Sequence, residues 1–363
     1  MSNSIENMNR KITSRKMCVV LLTVYVLIGQ GVVFGIQSAD SLINRSDAWY
    51  RSPEAVRIAA NILSFQADEG GWPKNIDTVS EPYAGDRASL KPTFDNRATT
   101  GELRFLARLY QLTKDERYGN AFSKGLDYIM KAQYPTGGWP QSYPPGKQYP
   151  RHITFNDNAM VRIMLFLQEI TASDRYAFVD AGRKKAAQQA FDRGIECILK
   201  CQIKVDGRLT AWCAQHDELD YSPRPARTYE LVSISGFESV NIVRLLMSLK
   251  TPRPEVVQSI EVAVAWFESS KLPGIKVEDI DKKDAPGGKD KVVADDPAAP
   301  PMWARFYEIG TNRPIFCDRD GVCRKSLAEI GHERRNGYVW LGYWPQDLLE
   351  KDYPAWKIRP AGR

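Results

Sequence analysis

A ten-residue segment built around Gly-Gly-Trp-Pro occurs twice in this chain and returns a third time in a degraded form. The copies begin at Gln66, Gln133 and Gln202, so the steps between them are 67 and 69 residues. A near-constant spacing of this length is typical of chains assembled from repeated structural units. Each unit is therefore expected to contain the same Gly-Trp turn.

A second recurring segment follows each turn, at residues 93–96, 154–158 and 232–236. The first two contain Asp95 and Asp157, which the sequence places at one position of the repeat. The third has Ser235 and Gly236 where the others carry aspartate. Two of the three units are thus expected to bring a carboxylate to the same place.

Apolar residues recur with helical spacing in seven segments, and no run shows convincing strand alternation. These segments are 55–65, 103–112, 122–130, 160–170, 187–198, 240–249 and 256–267. Each Gly-Trp turn follows one such segment, so one unit reads helix, turn, short extended stretch, helix. We predict an all-α fold, an α/α toroid of about three repeated helix pairs with a few short strands and long loops, because closing a ring buries both terminal faces.

The first 39 residues differ from the rest of the chain. Basic residues at positions 10, 11, 15 and 16 precede an apolar run over residues 17–36. A charged segment followed by an apolar one is typical of a secretory signal peptide. We predict a signal peptide over residues 1–39, a single working domain over residues 40–363, and a secreted or periplasmic location. The alternative is an uncleaved membrane anchor, since about 20 apolar residues can span a bilayer.

The charge of the chain argues against one class of partner. The formal net charge is +6, and it falls to +3 without residues 1–39. No long basic run with interleaved aromatic residues occurs, so we expect no nucleic-acid partner. A small anionic substrate remains compatible with locally clustered arginines. Nothing in the sequence implies a protein partner, and we expect a monomer.

Five cysteines remain once Cys18 of the signal segment is set aside, namely Cys197, Cys201, Cys213, Cys317 and Cys323. An odd number excludes a fully paired framework within one chain. Cys197 and Cys201 are one helical turn apart, and Cys317 and Cys323 flank a short loop. Either pair could form a disulfide in an oxidising compartment.

Asp95 and Asp157 stand at the beginning of predicted helices, where an aspartate commonly caps free N–H groups. Together with Asn96 and Asn158 they would place hard oxygen ligands at one end of the ring. Such a set suits calcium, which accepts carboxylates, amides and waters in irregular arrangements. A pair of carboxylates could instead act as acid and base in glycoside hydrolysis.

Three arginines lie in predicted loops, Arg227 in the third unit and Arg305 and Arg319 near the C-terminus. Each alone would be interpreted as a surface ion-pair partner. Several together indicate a binder of carboxylated sugar, because the planar guanidinium matches a carboxylate.

The tryptophans of the turns have an aromatic face that could stack on a sugar ring. Trp72 and Trp139 keep fixed places in the repeat, which favours a structural role. Trp212 departs from the repeat pattern, and we assign it to substrate binding. The segment Asp279 to Pro301 is rich in charged residues, glycine and proline, and is predicted to be a loop or lid.

Six motifs in this order resemble those of the family 10 polysaccharide lyases, which are pectate lyases. The motifs are Gly70-Gly71-Trp72-Pro73-Lys74-Asn75, Thr93-Phe94-Asp95-Asn96, Gly137-Gly138-Trp139-Pro140-Gln141, Thr154-Phe155-Asn156-Asp157-Asn158, Ala226-Arg227-Thr228-Tyr229-Glu230 with Ser233-Ile234-Ser235-Gly236, and Trp303-Ala304-Arg305-Phe306-Tyr307-Glu308 through Asn312-Arg313-Pro314. The resemblance covers about residues 50–355. It implies a catalytic α/α toroid that degrades polygalacturonate (pectate) by calcium-dependent β-elimination.

The resemblance also implies roles for individual residues. Asp95, Asn96 and Asp157 are similar to the calcium-binding set. Arg227 is similar to the residue that abstracts the C5 proton, and Arg305 and Arg319 to those that bind the substrate carboxylate. Because arginine is normally always protonated, the base role requires neighbouring cations and burial to lower the pKa of Arg227.

Two other functions remain open from the residues alone. One is an inverting glycoside hydrolase on a related toroid, with Asp95 and Asp157 as its carboxylates. The other is a non-catalytic pectin-binding protein that keeps the calcium site. The presence of Arg227 favours the lyase, since a pure binder does not need a residue at C5.

Overall fold

The computed structural model describes residues 38–359. Nearly all of the expected signal peptide therefore lies outside the described residues, and those that are described belong to one compact unit. Ten α-helices occur between residues 38 and 359. They are α1 (Asp47–Tyr50), α2 (Pro53–Ser64), α3 (Thr100–Thr113), α4 (Glu116–Ala132), α5 (Ala159–Ala172), α6 (Ala181–Cys201), α7 (Glu238–Met247), α8 (Pro254–Ser269), α9 (His332–Gly337) and α10 (Tyr353–Lys357).

Each of the seven segments with helical periodicity is helical, in α2 to α8. Local sequence explains where several of these helices begin. The side chain of Ser52 accepts the N–H of Ala55 in front of α2, and Asp180 accepts the N–H of Arg183 in front of α6. Such caps satisfy N–H groups that have no partner within the helix. Helix α3 packs against α4, α5 against α6, and α7 against α8. Closure of these helices into a toroid stays a prediction.

The strands are short and pair antiparallel, and most have two residues. They are β1 (Ile153–Thr154), β2 (Lys204–Val205), β3 (Arg208–Leu209), β4 (Gln215–His216), β5 (Pro223–Arg224), β6 (Ile234–Ser235), β7 (Ile275–Asp281), β8 (Lys289–Asp295), β9 (Trp303–Ala304), β10 (Phe306–Tyr307), β11 (Phe316–Cys317), β12 (Cys323–Arg324) and β13 (Leu341–Gly342). The pairs are β1 with β4, β4 with β5, β2 with β3, β6 with β10, β7 with β8, β9 with β13 and β11 with β12.

The β7–β8 hairpin corrects the loop prediction for Asp279 to Pro301, because much of that segment is strand in full seven-residue register. Ile275 and Val277 alternate along β7 and pack against the core. The charged residues between them mask this period of two in the sequence. The prediction of a loop is therefore wrong for residues 279–281 and 289–295.

Four tryptophans mark the same turn, and all are fully buried. Each indole N–H donates to a carbonyl near the end of the preceding helix, with distances of 2.7 to 2.9 Å. The donor and acceptor pairs are Trp72 with Ile62, Trp139 with Ile129, Trp212 with Ile198, and Trp303 with Phe267. A fourth copy of the turn, at Trp303, thus exists that the sequence pattern did not show.

This geometry corrects the interpretation of Trp212. Its exposure is 0%, and its backbone N–H donates to Ser239 as that of Trp72 does to Thr99. Trp212 is therefore a full member of the repeat, with both ring faces covered by the core. No ring face is left for a sugar, so we remove Trp212 from the substrate-binding set.

The repeated glutamine joins each unit to the next. Its amide nitrogen donates both to a carbonyl of its own turn and to one in a helix of the next unit, α4, α6 or α8, at 2.8 to 3.1 Å. The acceptors are Gly70 and Ala121 for Gln66, Gly137 and Ala190 for Gln133, and Thr210 and Ser259 for Gln202.

The glycines of the turn are required by its backbone. Gly70 and Gly137 have φ of 114° and 94°. A Cβ at Gly70 would lie 2.5 Å from the carbonyl oxygen of Lys124, and one at Gly137 only 2.2 Å from that of Arg193. Other residues are excluded by both the positive φ and the close approach of the next helix.

The five cysteines of residues 38–359 are free thiols. The sulfur atoms of Cys197 and Cys201 lie 4.0 Å apart, and Cys317 faces Cys323 across the β11–β12 pair. Within the described residues, every helix is too short or too polar to cross a membrane.

Candidate active site

Each recurring extended segment pairs with the turn of the next unit. The N–H groups of Phe94, Phe155 and Gly236 donate, each at 2.9 Å, to the carbonyls of Gln141, Ala214 and Arg305. Each acceptor lies two residues after a turn tryptophan. The residue at that position and the extended segment of the preceding unit therefore meet at every junction.

The same backbone pairing defines which residues are equivalent. Thr93, Thr154 and Ser235 donate their N–H groups to the carbonyls of Trp72, Trp139 and Trp212 at 3.0, 3.0 and 2.7 Å. Counting three residues onward from each donor leads to Asn96, Asp157 and Glu238. Asn96 and Asp157 also share the unusual φ of 49°.

This equivalence corrects the alignment of the aspartates. Asp157 is the counterpart of Asn96, and Asp95 is the counterpart of Asn156. The third unit does supply a carboxylate, at Glu238, which sequence comparison missed because the degraded segment was aligned to Ser235 and Gly236.

Asp95 is buried and already carries a positive neighbour. Its Oδ2 accepts from Lys74 Nζ in an ion pair and from Gln141 Nε2 at 2.5 Å. Lys74 and Gln141 each lie two residues after a turn tryptophan. The side chains at this position of two adjacent turns therefore both contact the Asp95 carboxylate. Beside them, Asn96 Nδ2 donates to Asn75 Oδ1 at 2.8 Å.

Arg305 lies against Asp157 from the fourth turn. Its Nη2 donates to Glu238 Oε1 at 2.6 Å and to Asp157 Oδ1 at 3.3 Å, and it approaches Asn156 Oδ1 at 3.4 Å. Burial opposes the charge of this guanidinium, but Glu238, Tyr338 and Asp157 raise the Arg305 pKa. The Nε of Arg305 is buried without a hydrogen-bond partner among the described residues.

Arg227 is bound by Glu230 through two charge-assisted hydrogen bonds. Nε donates to Oε2 at 2.7 Å and Nη2 to Oε1 at 2.5 Å, while the Tyr338 hydroxyl also donates to Oε1 at 2.8 Å. The hydrogen bonds that Arg227 donates to Glu230 raise the pKa of Arg227 above its usual value. The sequence argument required the opposite shift, so Arg227 is a charged cation in this arrangement.

Two tyrosines bring the three predicted arginines together. The guanidinium carbons of Arg227 and Arg305 lie 5.7 and 4.8 Å from the centre of the Tyr338 ring. Those of Arg227 and Arg319 lie 4.8 and 5.7 Å from the ring of Tyr229. Cations within about 6 Å of an aromatic face are attracted by the ring quadrupole.

Arg319 is the most exposed of the three, and it forms an ion pair with Glu333 at 3.0 Å. Arg334 shares Glu333 and stands 4.6 Å from the Tyr229 ring. The region around Tyr229 therefore holds a group of guanidinium charges matched to an anionic ligand.

The predicted calcium set fits the ion chemically. Asp95, Asn96 and Asp157 supply two carboxylates and an amide, which are ligands that calcium accepts. Gln141 Oε1, beside Asp95, is buried and has no partner among residues 38–359. An unsatisfied buried oxygen next to a carboxylate is consistent with a cation there.

A second acidic group lies outside the predicted set. One ligand atom from each of His152, Asp217 and Glu218 lies within 4.8 Å of the others. Both carboxylates already have arginine partners, Arg224 at 2.9 Å from Asp217 and Arg151 on Glu218. These arginines compensate part of the negative charge of this group, as Lys74 does for Asp95.

Sequence reasoning missed several residues of the site, namely Lys74, Gln141, Tyr229, Glu230, Glu238 and Tyr338. A signal was present for three of them. Lys74 and Gln141 occupy the same place after the turn tryptophan as Arg305. Ser235-x-x-Glu238 also has the spacing of a helix capping box. No motif or spacing near Tyr338 in the sequence indicates that it belongs to the candidate site.

Comparisons with known proteins agree on one family. The pectic acid lyase family matches residues 66–349. A family 10 polysaccharide lyase from Cellvibrio cellulosa is 34% identical, with a TM-score of 0.74 over 87% of this chain and 95% of that one. An aspartate-to-alanine mutant of the family 10 polysaccharide lyase from Cellvibrio cellulosa, solved in complex with trigalacturonic acid, is 33% identical, with a TM-score of 0.73 over 88% and 99%. A comparison with curated proteins finds no match.

The match covers most of the chain, including the arginines around Tyr338 and the carboxylates Asp95 and Asp157. At this identity and coverage, this chain and the lyases of Cellvibrio cellulosa have a common origin, which accounts for the shared helical fold. The chain therefore belongs to the pectic acid lyase family and is a polysaccharide lyase of family 10.

Proposed function

We propose that this enzyme cleaves polygalacturonate by calcium-assisted β-elimination and releases 4,5-unsaturated oligogalacturonides. The observation that carries the proposal is the convergence of Arg227, Arg305 and Arg319 on Tyr229 and Tyr338. The trigalacturonic acid bound to the mutant lyase of Cellvibrio cellulosa supports the substrate class.

The chemical problem is the weak acidity of the C5 proton next to a negatively charged C6 carboxylate. Arg305 and Arg319 bind this carboxylate and stabilise the enolate-like charge that develops as the proton leaves. Asp95, Asn96 and Asp157 hold calcium, which when bound supplies further electrophilic stabilisation of that charge. Gln141 and Lys74 orient Asp95 through its Oδ2.

Arg227 is assigned the removal of the C5 proton. The electron pair of the C5–H bond forms the C4–C5 double bond, and the C4–O bond breaks with its pair leaving on the glycosidic oxygen, which takes up a proton. Arg227 can accept a proton only as the neutral guanidine, whereas Glu230 stabilises its charged form. The ion pair must therefore loosen when substrate binds, and we expect elimination to require alkaline pH.

One spectrophotometric assay separates the lyase from its alternatives. The lyase is expected to raise ultraviolet absorbance on polygalacturonate, to lose this activity with EGTA, and to regain it with calcium. A glycoside hydrolase using Asp95 and Asp157 would instead release reducing ends without absorbance and would resist chelation. A pectin-binding protein would bind oligogalacturonate and give neither product.

We also propose that residues 1–39 direct the enzyme to a secreted or periplasmic location and that residues 40–363 form a single catalytic α/α toroid that is monomeric. The composition of the first 39 residues supports the first part. Sequencing the N-terminus of the protein recovered outside the cytoplasm is expected to find a start near residue 40. Light scattering is expected to give the mass of one chain, and a dimer mass would refute that part of the proposal.

A further inference from the structure

Glu238 begins helix α7 and is fully buried. Ser235 Oγ accepts the N–H of Glu238 at 3.0 Å and that of Phe237 at 3.2 Å, and donates its own proton to Glu238 Oε2. The bond from the Glu238 N–H to Ser235 Oγ is the serine half of a capping box, whereas the Glu238 carboxylate accepts from the Ser235 hydroxyl and not from a backbone N–H. The orientation of the Glu238 carboxylate is thus fixed from within its own unit.

The second oxygen of Glu238 leaves that unit and faces the calcium-binding region. Oε1 accepts from Arg305 Nη2 at 2.6 Å and lies 3.5 Å from the backbone nitrogen of Asp157. Only Oε2 bonds within the unit, to the Ser235 hydroxyl, so Oε1 is free to form the long-range ion pair with Arg305.

The Arg305 guanidinium has two carboxylate partners, and they are not equal. Glu238 is at 2.6 Å, whereas Asp157 is at 3.3 Å and its side chain is partly exposed. Phe237 and Tyr338 stand 4.7 and 4.8 Å from the guanidinium carbon and limit its movement. Two carboxylates thus share one guanidinium charge, so one negative charge of the pair stays uncompensated, and the shorter contact places the cation nearer to Glu238.

We propose that Glu238 is a positioning residue that takes up the charge of Arg305 and so keeps the Asp157 carboxylate available to calcium. This inference rests on the proposed function, in which Asp157 is a calcium ligand. Without the charge of Glu238, the only remaining anionic partner of Arg305 among residues 38–359 is Asp157. Arg305 would then compete with calcium for the same oxygen atoms.

The test is the calorimetric titration of calcium chloride alone into the enzyme without substrate. Glu238→Gln keeps the size of the side chain and removes its charge, and is expected to weaken calcium binding about tenfold, as expected for loss of a nearby unit charge. The double variant Glu238→Gln/Arg305→Met removes both charges and is expected to restore an affinity close to that of the wild type.

Glu169→Gln is the matched control, because Glu169 pairs with Arg104 at 2.8 Å between α3 and α5. It removes an arginine–glutamate pair of the same kind outside the site and is expected to leave calcium affinity unchanged. Thermal unfolding verifies that each variant is folded. If Glu238→Gln does not fold, Arg305→Met alone provides the test, and it is expected to bind calcium at least as tightly as the wild type.

Calcium affinity of Glu238→Gln within about twofold of the wild type would overturn the inference. So would a double variant that binds as weakly as Glu238→Gln, or an Arg305→Met variant that binds more weakly than the wild type. Absence of calcium binding by the wild type would reject it too. Failure of the proposed function itself is a separate result, since it would appear as no ultraviolet product from the wild type.

Discussion

Arg227 and Glu230 form a bidentate ion pair, with the two carboxylate oxygens 2.7 and 2.5 Å from Nε and Nη2. The pair stabilises the charged guanidinium and raises the pKa of Arg227, which opposes its use as a base. Glu230 is buried and also accepts from Tyr338, so its orientation is defined by two elements. The reactivity of Arg227 therefore depends on how firmly Glu230 holds it.

Replacing Glu230 by glutamine is expected to shift the rise of kcat/KM to lower pH. Glu230 raises the Arg227 pKa, so its removal lowers that pKa and the neutral base forms at lower pH. A shift of about one pH unit or more is expected. The measurement is the pH profile of kcat/KM on polygalacturonate, with Glu169→Gln as control. An unmoved profile, or one displaced to higher pH, would contradict a base role for Arg227.

Replacing Arg227 by alanine is expected to reduce kcat by about 10²- to 10⁴-fold with little change in KM, because general base catalysis contributes in that range. Arg224→Ala is a matched control, since both side chains are 42% exposed and both pair with a carboxylate. Steady-state kinetics should show near-normal turnover for Arg224→Ala. Near-normal turnover in Arg227→Ala would remove Arg227 from the mechanism.

Asp95→Ala is expected to raise the calcium concentration needed for half-maximal activity by about tenfold or more, because a carboxylate ligand is lost. Calcium titration of initial rates after EGTA treatment measures this. The control is Asp115→Ala, which removes a cap at the start of α4 away from the site. If the two variants need the same calcium, Asp95 has only a structural role.

The β7–β8 hairpin is expected to contribute more to stability than to substrate binding. Asp290 in β8 accepts two bonds from Arg335 at 2.8 Å and one from Asn336 at 2.9 Å, and these bonds hold its pKa well below the usual range. Asp290→Ala should lower Tm by about 4 °C or more, since charge-assisted bonds are lost. Because a depressed pKa stabilises the fold above the unfolded pKa, this difference should start to shrink as pH falls below the unfolded value of 3.8 and decrease further with each step toward more acidic pH.

Asp279→Ala serves as the control for that experiment, because Asp279 lies in the same hairpin and pairs with Lys291 only loosely at 3.7 Å. Differential scanning calorimetry should find little change in its Tm. A raised KM with an unchanged Tm for Asp290→Ala would indicate instead that the hairpin acts on substrate.

Glu102→Gln is expected to stabilise the enzyme at alkaline pH. Burial raises the pKa of Glu102 to about 7, and its Oε2 has no partner among the described residues. A raised pKa favours the fold below the unfolded value, and that contribution is lost as pH rises through about 7. Removing the ionisable group should add about 2 kcal/mol to the unfolding free energy at pH 8 and little at pH 4. Equal effects at both pH values in chemical denaturation would refute this explanation.

The repeat and the helices could be recognised from sequence because each depends on local information. Apolar spacing alone located α2 to α8, and the Gly-Gly-Trp turn needs glycine at Gly70 and Gly137 for reasons of backbone geometry. The ordered motifs were sufficient to indicate the lyase family. Asp95, Asn96, Asp157, Arg227, Arg305 and Arg319 were named from those motifs.

Long-range contacts decided what the sequence pattern could not. Glu238 and Arg305 are 67 residues apart in the sequence, and Arg305 and Asp157 are 148 apart. Neither contact therefore produces a periodic pattern in the local sequence. The same is true of Tyr338, which lies 108 residues from Glu230.

The sequence by itself determined the repeated turn, the positions of the helices and the chemical types present, since these follow from spacing and from the conformational limits of single residues. Tertiary structure alone decided that Trp212 is a core residue, that a fourth turn exists at Trp303, and that Glu230 and Glu238 form ion pairs with Arg227 and Arg305. The physical reason is that burial and ion pairing depend on which side chains meet in space, and those meetings are set by packing between distant units.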